Sequence, residues 1–305
     1  MTDSFGGVNP IRLDPARLLA VALVVLSCAS GLPPAPQAAT TLRSDIFVEP
    51  IVPGIWRHVS YMRFPGTGYF PSNGLIVASP QGVLIVDTAW NTDQTARVLD
   101  WVEANLGTIN ALLITHAHDD RLGGIAEVNR RRIPSYALAE TVRLAAARGW
   151  PAIGHAVPSP FPLDTLGVSG ELFFPGPAHT VDNATVWLRE KRILVGGCLV
   201  RASAATAMGN TSEADLEGWP RAVVALQERY PDAAIVVPGG DNNAQVLTGC
   251  VNGFGKRTPL ADYPLKGRGT QGVINIDATD RNGEVVGMKL VHATDELMMI
   301  TEKGI

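Results

Sequence analysis

Thr115-His116-Ala117-His118-Asp119-Asp120-Arg121 sets two histidines and an aspartate at alternate positions, directly after the apolar run Ala111-Leu112-Leu113-Ile114. An apolar run bounded by a polar loop reads as a buried strand. A loop leaving the end of such a strand can turn the side chains of His116, His118 and Asp120 toward one point. Imidazole nitrogens and a carboxylate oxygen are the ligands that zinc takes in a catalytic site. The plainer reading of the same stretch is a polar loop carrying two ordinary histidines.

Upstream of this loop, Ile46-Phe47-Val48 and Ile55-Trp56-Arg57-His58-Val59 read as short strands, as do Gly74-Leu75-Ile76-Val77 and Gly82-Val83-Leu84-Ile85-Val86-Asp87. Phe64-Pro65-Gly66-Thr67-Gly68-Tyr69-Phe70 has Gly and Pro between aromatic ends, the pattern of a hairpin or flap. Thr92 to Leu106 carries helix chemistry, with Thr92 at the start and apolar Val98, Trp101, Val102 and Leu106. Gly123-Gly124 opens another helix. Strands come in pairs between helices up to Pro238, which fits an α/β sandwich better than a strictly parallel doubly wound sheet. After Gly239-Gly240 the character changes: from Val246 onward the chain is β-branched runs cut by glycines, a β-rich tail.

The chain's 305 residues and 46% hydrophobic content suffice for one large domain or two small ones. A net charge of -4 argues against a general electrostatic grip on nucleic acid. The three cysteines, Cys28, Cys198 and Cys250, are odd in number and far apart, so they imply no disulfide framework. Arg12 and Arg17 precede an apolar run, Leu18 to Leu26, too short to span a bilayer but suited to a secretory signal. Cleavage is expected near Ala39, or at Cys28 if Val25-Leu26-Ser27-Cys28 acts as a lipoprotein box, which would tie the protein to a membrane. Either way a periplasmic location is expected. The domain reading is a signal over residues 1–40, a hydrolase-like domain over 41–241 and a separate fragment over 242–305.

Two further elements accompany the opening loop. Phe174-Pro175-Gly176-Pro177-Ala178-His179-Thr180 sets a histidine in a tight turn, and Ile193-Leu194-Val195-Gly196-Gly197-Cys198 ends a strand at a cysteine. Alone, each has a bland reading: a satisfied histidine and a small buried thiol. In this order, after the Asp-terminated strand Val86-Asp87, the pieces closely resemble the metallo-β-lactamases, in the subclass with a cysteine in its second zinc site. The resemblance covers about residues 45 to 240. It implies a four-layer αββα sandwich, three-histidine ligation by His116, His118 and His179, and a second zinc held by Asp120 and Cys198. It also implies hydrolysis of the β-lactam ring of antibiotics by a metal-bound hydroxide that Asp120 orients. Asn210 matches the family's asparagine beside the developing oxyanion. Arg201 sits where a basic residue often meets the substrate carboxylate, its other reading being a solvated arginine. Asp87 reads as support for the ligands, and Arg121 as local scaffolding.

The pattern breaks at the sixth ligand. The family's strand ends Pro-Gly-His, whereas this chain has Pro238-Gly239-Gly240-Asp241, and none of its six histidines directly follows Gly239. Asp241 is a substitute oxygen ligand at best. Beyond it, Gln245 to Pro259, Tyr263 to Ile274 and Arg281 to Gly287 resemble the C-terminal β-propeller of the DNA gyrase A subunit, about one blade. From Thr248 onward charges balance, seven of each sign, so no excess exists to bind phosphate. A single blade also lacks the neighbours that cover its faces. The chain reads as a chimera joined near Gly239 to Gln245, its sandwich lacking the last helix. The leading expectation is a monomeric zinc-dependent β-lactam hydrolase of the cell envelope, impaired by the missing histidine. The rivals are an inactive zinc-binding chimera, another hydrolase of the same superfold such as a thioesterase, and a binding module resting on the tail.

Overall fold

The computed structural model describes residues 38–43, 45–64, 68–203, 205, 208–240, 245–259 and 274–291. The expected export signal with Cys28, the substitute ligand Asp241 and His292 lie outside these residues.

Strands β1 (Thr40–Arg43), β2 (Ile46–Val52), β3 (Ile55–Phe64), β4 (Gly68–Ser79) and β5 (Gly82–Val86) form an antiparallel meander. β6 (Ile109–Ile114), β7 (Ser135–Leu138) and β8 (His155–Val157) extend the same sheet in parallel, completing eight strands in sequence order. Parallel neighbours need crossovers. These are the helices α1 (Thr92–Asn105), the short α2 (Asp119–Leu122) and α3 (Ile125–Arg130), and α4 (Ala139–Ala147). A second sheet is built from β9 (Phe161–Pro162), β10 (Gly170–Phe173), β11 (Thr185–Leu188), β12 (Ile193–Gly197) and β13 (Ile235–Pro238). Its order is β13-β12-β11-β10-β9, and α5 (Gly218–Arg229) crosses between the parallel strands β12 and β13.

The side-chain alternation of the strands explains the layering. Ile85, Leu112 and Ile114 point to one face of the first sheet, where they meet Val98, Val102, Ile125 and Val128 of the helices. Leu84, Val86 and Leu113 point to the other face and pack on Leu172, Val186 and Val195 of the second sheet. The far face of that sheet offers Trp187 and Leu194 to Trp219, Ala222 and Leu226 of α5. The result is the expected αββα sandwich, with β6 apolar and buried from Ala111 to Ile114 because both of its faces are covered there. Among the described residues no helix follows β13.

β14 (Gln245–Cys250), β15 (Gly255–Pro259) and β16 (Val285–Val291) form a third, antiparallel sheet in the order β15-β14-β16. Val251, Ile274, Val286 and Met288 in this segment are well exposed. Helix α1 is capped by Asn91, whose side chain accepts from the Gln94 N–H at 2.9 Å, and Thr92 is its first helical residue. Asn is the stronger cap, and its carbonyl reaches the free N–H groups of the first turn.

Candidate metal centre

One edge of the sandwich gathers several chain reversals: the turn after β5 with Asp87, the loop between β6 and α2, the turn before β11, and the end of β12. Asp87 sits in the left-handed region at φ 63°, an uncommon conformation for a non-glycine residue. Its fully buried carboxylate accepts from the Thr115 N–H at 2.8 Å and from Thr115 Oγ1 at 2.9 Å. Thr115 Oγ1 in turn lies 3.2 Å from His116 Nδ1. Asp87 thus supports the ligands indirectly, as expected. A second buried carboxylate, Asp182, accepts from the Ala117 N–H at 2.9 Å and fixes the loop from the other side. Gly197 is left-handed at φ 54°, a turn that glycine takes without a Cβ penalty, and it redirects the chain just before Cys198.

The structure brings five sequence-predicted residues together. Ligand atoms of His116, His118 and Asp120 lie within 4.8 Å of one another, as do those of His116, His179 and Cys198. The three imidazole rings stand nearly perpendicular in pairs, with centroids 4.8 to 5.2 Å apart. His118 Nδ1 and His179 Nε2 face each other at 3.3 Å. His116 Nε2 is buried with no hydrogen-bond partner among the described residues. A buried imidazole nitrogen without a partner is costly, and a cation accepting all three lone pairs removes that cost. The donor set therefore fits a metal ion.

Burial, reinforced by the neighbouring His118, His179 and Arg121, holds His116 well below the usual imidazole value. Burial and His118 bring His179 down to about 4. Both are therefore neutral at physiological pH, the form that ligates metal. Burial pushes the Cys198 thiol up to about 12 against the pull of Arg121, and pushes Asp87 up to about 6.

Several participants escaped the sequence reading. Glu213 Oε2 lies 3.2 Å from His118 Nε2 and also accepts from Arg148 at 2.5 Å. Burial opposes the Glu213 carboxylate charge, but the hydrogen bonds from Arg148 and His118 outweigh it and keep the group below the ordinary glutamate value. A carboxylate on the far nitrogen of a ligating histidine fixes its tautomer and orientation. Asn183 closes the His179 turn, accepting from the Thr180 N–H at 2.9 Å and donating to Gly176 O at 3.0 Å. Arg121 also differs from expectation. Its side chain has no solvent exposure and lies inside the centre, with Nη2 at 3.0 Å from Cys198 Sγ and 2.9 Å from Asp120 Oδ2.

The cluster opens into a cleft of about 720 Å³. His118, Asp120, His179 and Cys198 line it, together with Arg201, Asn210 and the aromatic residues Phe64, Phe70 and Trp90. Phe64 sits edge-on to both Phe70 and Trp90, at 5.5 and 5.6 Å between centroids. Arg201 Nε is buried and has no partner among the described residues. Asn210 Oδ1 accepts from the Ser212 N–H at 3.1 Å, so its amide nitrogen is the end left for the cleft. His155, by contrast, is exposed and stacks on Tyr136. His58 is buried, with Nε2 3.1 Å from Asp87 O.

An αββα sandwich with this constellation at its edge defines a class, the metallohydrolases. Residues 67–240 match the metallo-beta-lactamase superfamily, and the chain belongs to it. Residues 247–292 match the DNA gyrase C-terminal domain, beta-propeller. A "Metallo-beta-lactamase type 2" of Bacteroides fragilis is 31% identical over 204 residues, covering 67% of this chain and 82% of the relative. A metallo-beta-lactamase structure from Pontibacter korlensis is 39% identical with a TM-score of 0.60, over 64% of this chain and 91% of that one. The structure of FIM-1 from Pseudomonas aeruginosa, described as a mono-zinc form, is 37% identical with a TM-score of 0.61, over 66% and 91% respectively.

Proposed function

We propose that the chain is a zinc-dependent hydrolase of β-lactam antibiotics, of the subclass that combines three histidines with a cysteine. The observation that carries this reading is the convergence of three imidazoles, one with a bare buried Nε2, at the foot of a substrate-sized cleft. Zinc held by His116, His118 and His179 supplies a Lewis acid and brings the pKa of a water toward neutrality.

The protein's own groups do the rest. Thr115 Oγ1 donates to Asp87 and accepts from His116 Nδ1–H, which leaves His116 Nε2 free. Glu213 accepts from His118 Nε2–H, which leaves Nδ1 free. Asp120, held by Arg121, orients the attacking water. Arg201 takes the carboxylate of the substrate, matching the planar fork of a guanidinium. The Asn210 amide donates to the lactam carbonyl oxygen as it gains charge. Phe64, Phe70 and Trp90 cover the ring and keep bulk water from it. The absence of a side chain at Gly240 makes turnover slower than in relatives with the sixth ligand. Export to the periplasm through residues 1–40, a monomeric state, a domain break near residue 241 and the lack of nucleic-acid binding complete the proposal.

The test is carbapenem hydrolysis by the purified zinc-loaded protein, followed by loss of lactam absorbance. Turnover that a chelator removes and zinc restores is the expected result. Turnover that survives both chelation and His116→Ala contradicts it.

A further inference from the structure

The geometry points to a single-ion centre, in which the Arg121 guanidinium stands between Asp120 and Cys198 where a second metal ion would bind. This rests on the reading that the three histidines hold an ion.

Arg121 is fully buried, and its guanidinium meets acceptors from five parts of the fold. Nη2 lies 3.0 Å from Cys198 Sγ, 2.9 Å from Asp120 Oδ2 and 2.5 Å from Gly239 O. Nη1 lies 2.5 Å from Asn73 O and 3.4 Å from Asp87 Oδ2. The two donors that a second ion needs are thus already turned to a cation. Zinc would require the thiolate at about 2.3 Å and the carboxylate at about 2.0 Å, beside a fixed positive charge 3.0 Å from the one and 2.9 Å from the other. Arginine does not deprotonate in proteins, so this charge cannot be discharged to admit a dication. Nor can the side chain swing away cheaply, because Asn73 O would lose the guanidinium as a donor in a buried place and Asp87 would lose a cation beside it.

The end of β13 closes the remaining approach. A Cβ on Gly240 would stand 2.4 Å from Pro71 O, and one on Gly239 would stand 2.6 Å from Cys198 N and 2.8 Å from Arg121 Nη2. Backbone therefore fills the space where a third donor would begin. Among the described residues, Asp120 and Cys198 are the donors on this side, fewer than the four ligands zinc takes in closed sites. The three-histidine side has no such resident cation, and His116 Nε2 lacks any partner there. Arg121 is then a positioning residue. It holds Asp120 for the water and keeps a fixed cation against Cys198.

The experiment uses the full chain, dialysed against a large excess of zinc or cobalt(II), with metal content and the near-ultraviolet spectrum as readouts. One ion per chain and no thiolate-to-cobalt charge-transfer band are expected. Arg121→Ala should take up a second ion and show the band. Arg121→Lys, which keeps the charge in the same place, should stay at one ion without it. The wild-type spectrum decides even if Arg121→Ala does not fold. Two ions in the wild type, or one ion with the thiolate band, overturns the inference and leaves the hydrolase reading standing. No bound ion overturns both. An Arg121→Ala protein that folds and remains at one ion removes Arg121 as the cause.

Discussion

The two sides of the ligand cluster are built from similar donors but balanced differently. On one side three imidazoles converge, and the lone pair of His116 Nε2 has no partner among the described residues. On the other side Asp120 and Cys198 lie 3.3 Å apart, and a buried guanidinium touches both. A site is open to a metal when the fold leaves donor lone pairs with no other cation against them, and among the described residues the histidine side meets that condition. Ligand types alone do not reveal this difference, because it depends on what else reaches the same lone pairs.

The sharpest way to break the comparison is to remove one donor from each side. His116→Ala should lower hydrolysis by at least about a thousand-fold, the scale of losing a main element of the catalytic machinery. Cys198→Ser should leave zinc affinity at the histidine side nearly unchanged, as measured by competition with a chromophoric chelator. A collapse of zinc affinity in Cys198→Ser would show that the thiol ligates. Glu213→Gln sharpens the histidine side alone. It keeps an acceptor but removes the charge facing His118, so metal affinity should fall by roughly ten- to a hundred-fold. An unchanged affinity would reduce Glu213 to a surface contact.

A second contrast is between the sandwich and the third sheet. Leu113 is fully buried between the two large sheets, and Leu113→Ala should cost about 2–5 kcal/mol in denaturant unfolding. Val286 in β16 is 68% exposed, and Val286→Thr should stay within about 0.5 kcal/mol. Equal costs would mean that the third sheet is as integral to the fold as the sandwich.

The acid response of the metal-free protein separates the buried groups by sign. His58, lowered to about 4 by burial, and the similarly lowered His179 and His116 all have folded values below the unfolded one. Their contribution is complete above about pH 6.5 and drains away as pH falls toward 4. Asp87, raised to about 6, has the opposite sign: it weakens the fold as pH rises from about 4 to 6 and so offsets one imidazole. Three imidazoles against one carboxylate leave a net loss of stability on acidification over this window. Urea midpoints at several pH values between 7 and 4 check it. A midpoint that rises on acidification contradicts the assignment of buried neutral imidazoles.

Much of this was readable in the chain. The alternate spacing of His116, His118 and Asp120 after an apolar strand encodes both the fold edge and the ligand set. Gly197-Cys198 and the Gly-Pro turn before His179 repeat the same logic of a polar residue at a strand end. What the chain did not disclose depends on approach through space. Glu213 lies 95 positions from His118 and reads in isolation as one more surface acid. Asp182 and Asn183 work through backbone N–H groups, which leave no sequence mark. Arg121 looked like scaffolding because a residue type does not say where its guanidinium ends. The missing histidine was visible at Gly240, but the closure of that corner by Pro71 O was not.

The most direct test of the account is a crystal structure of the zinc-loaded protein with anomalous data at the zinc edge. One anomalous peak bounded by His116, His118 and His179, with Arg121 still against Asp120 and Cys198, is the predicted result. A second peak between Asp120 and Cys198, or no peak among the histidines, would contradict it.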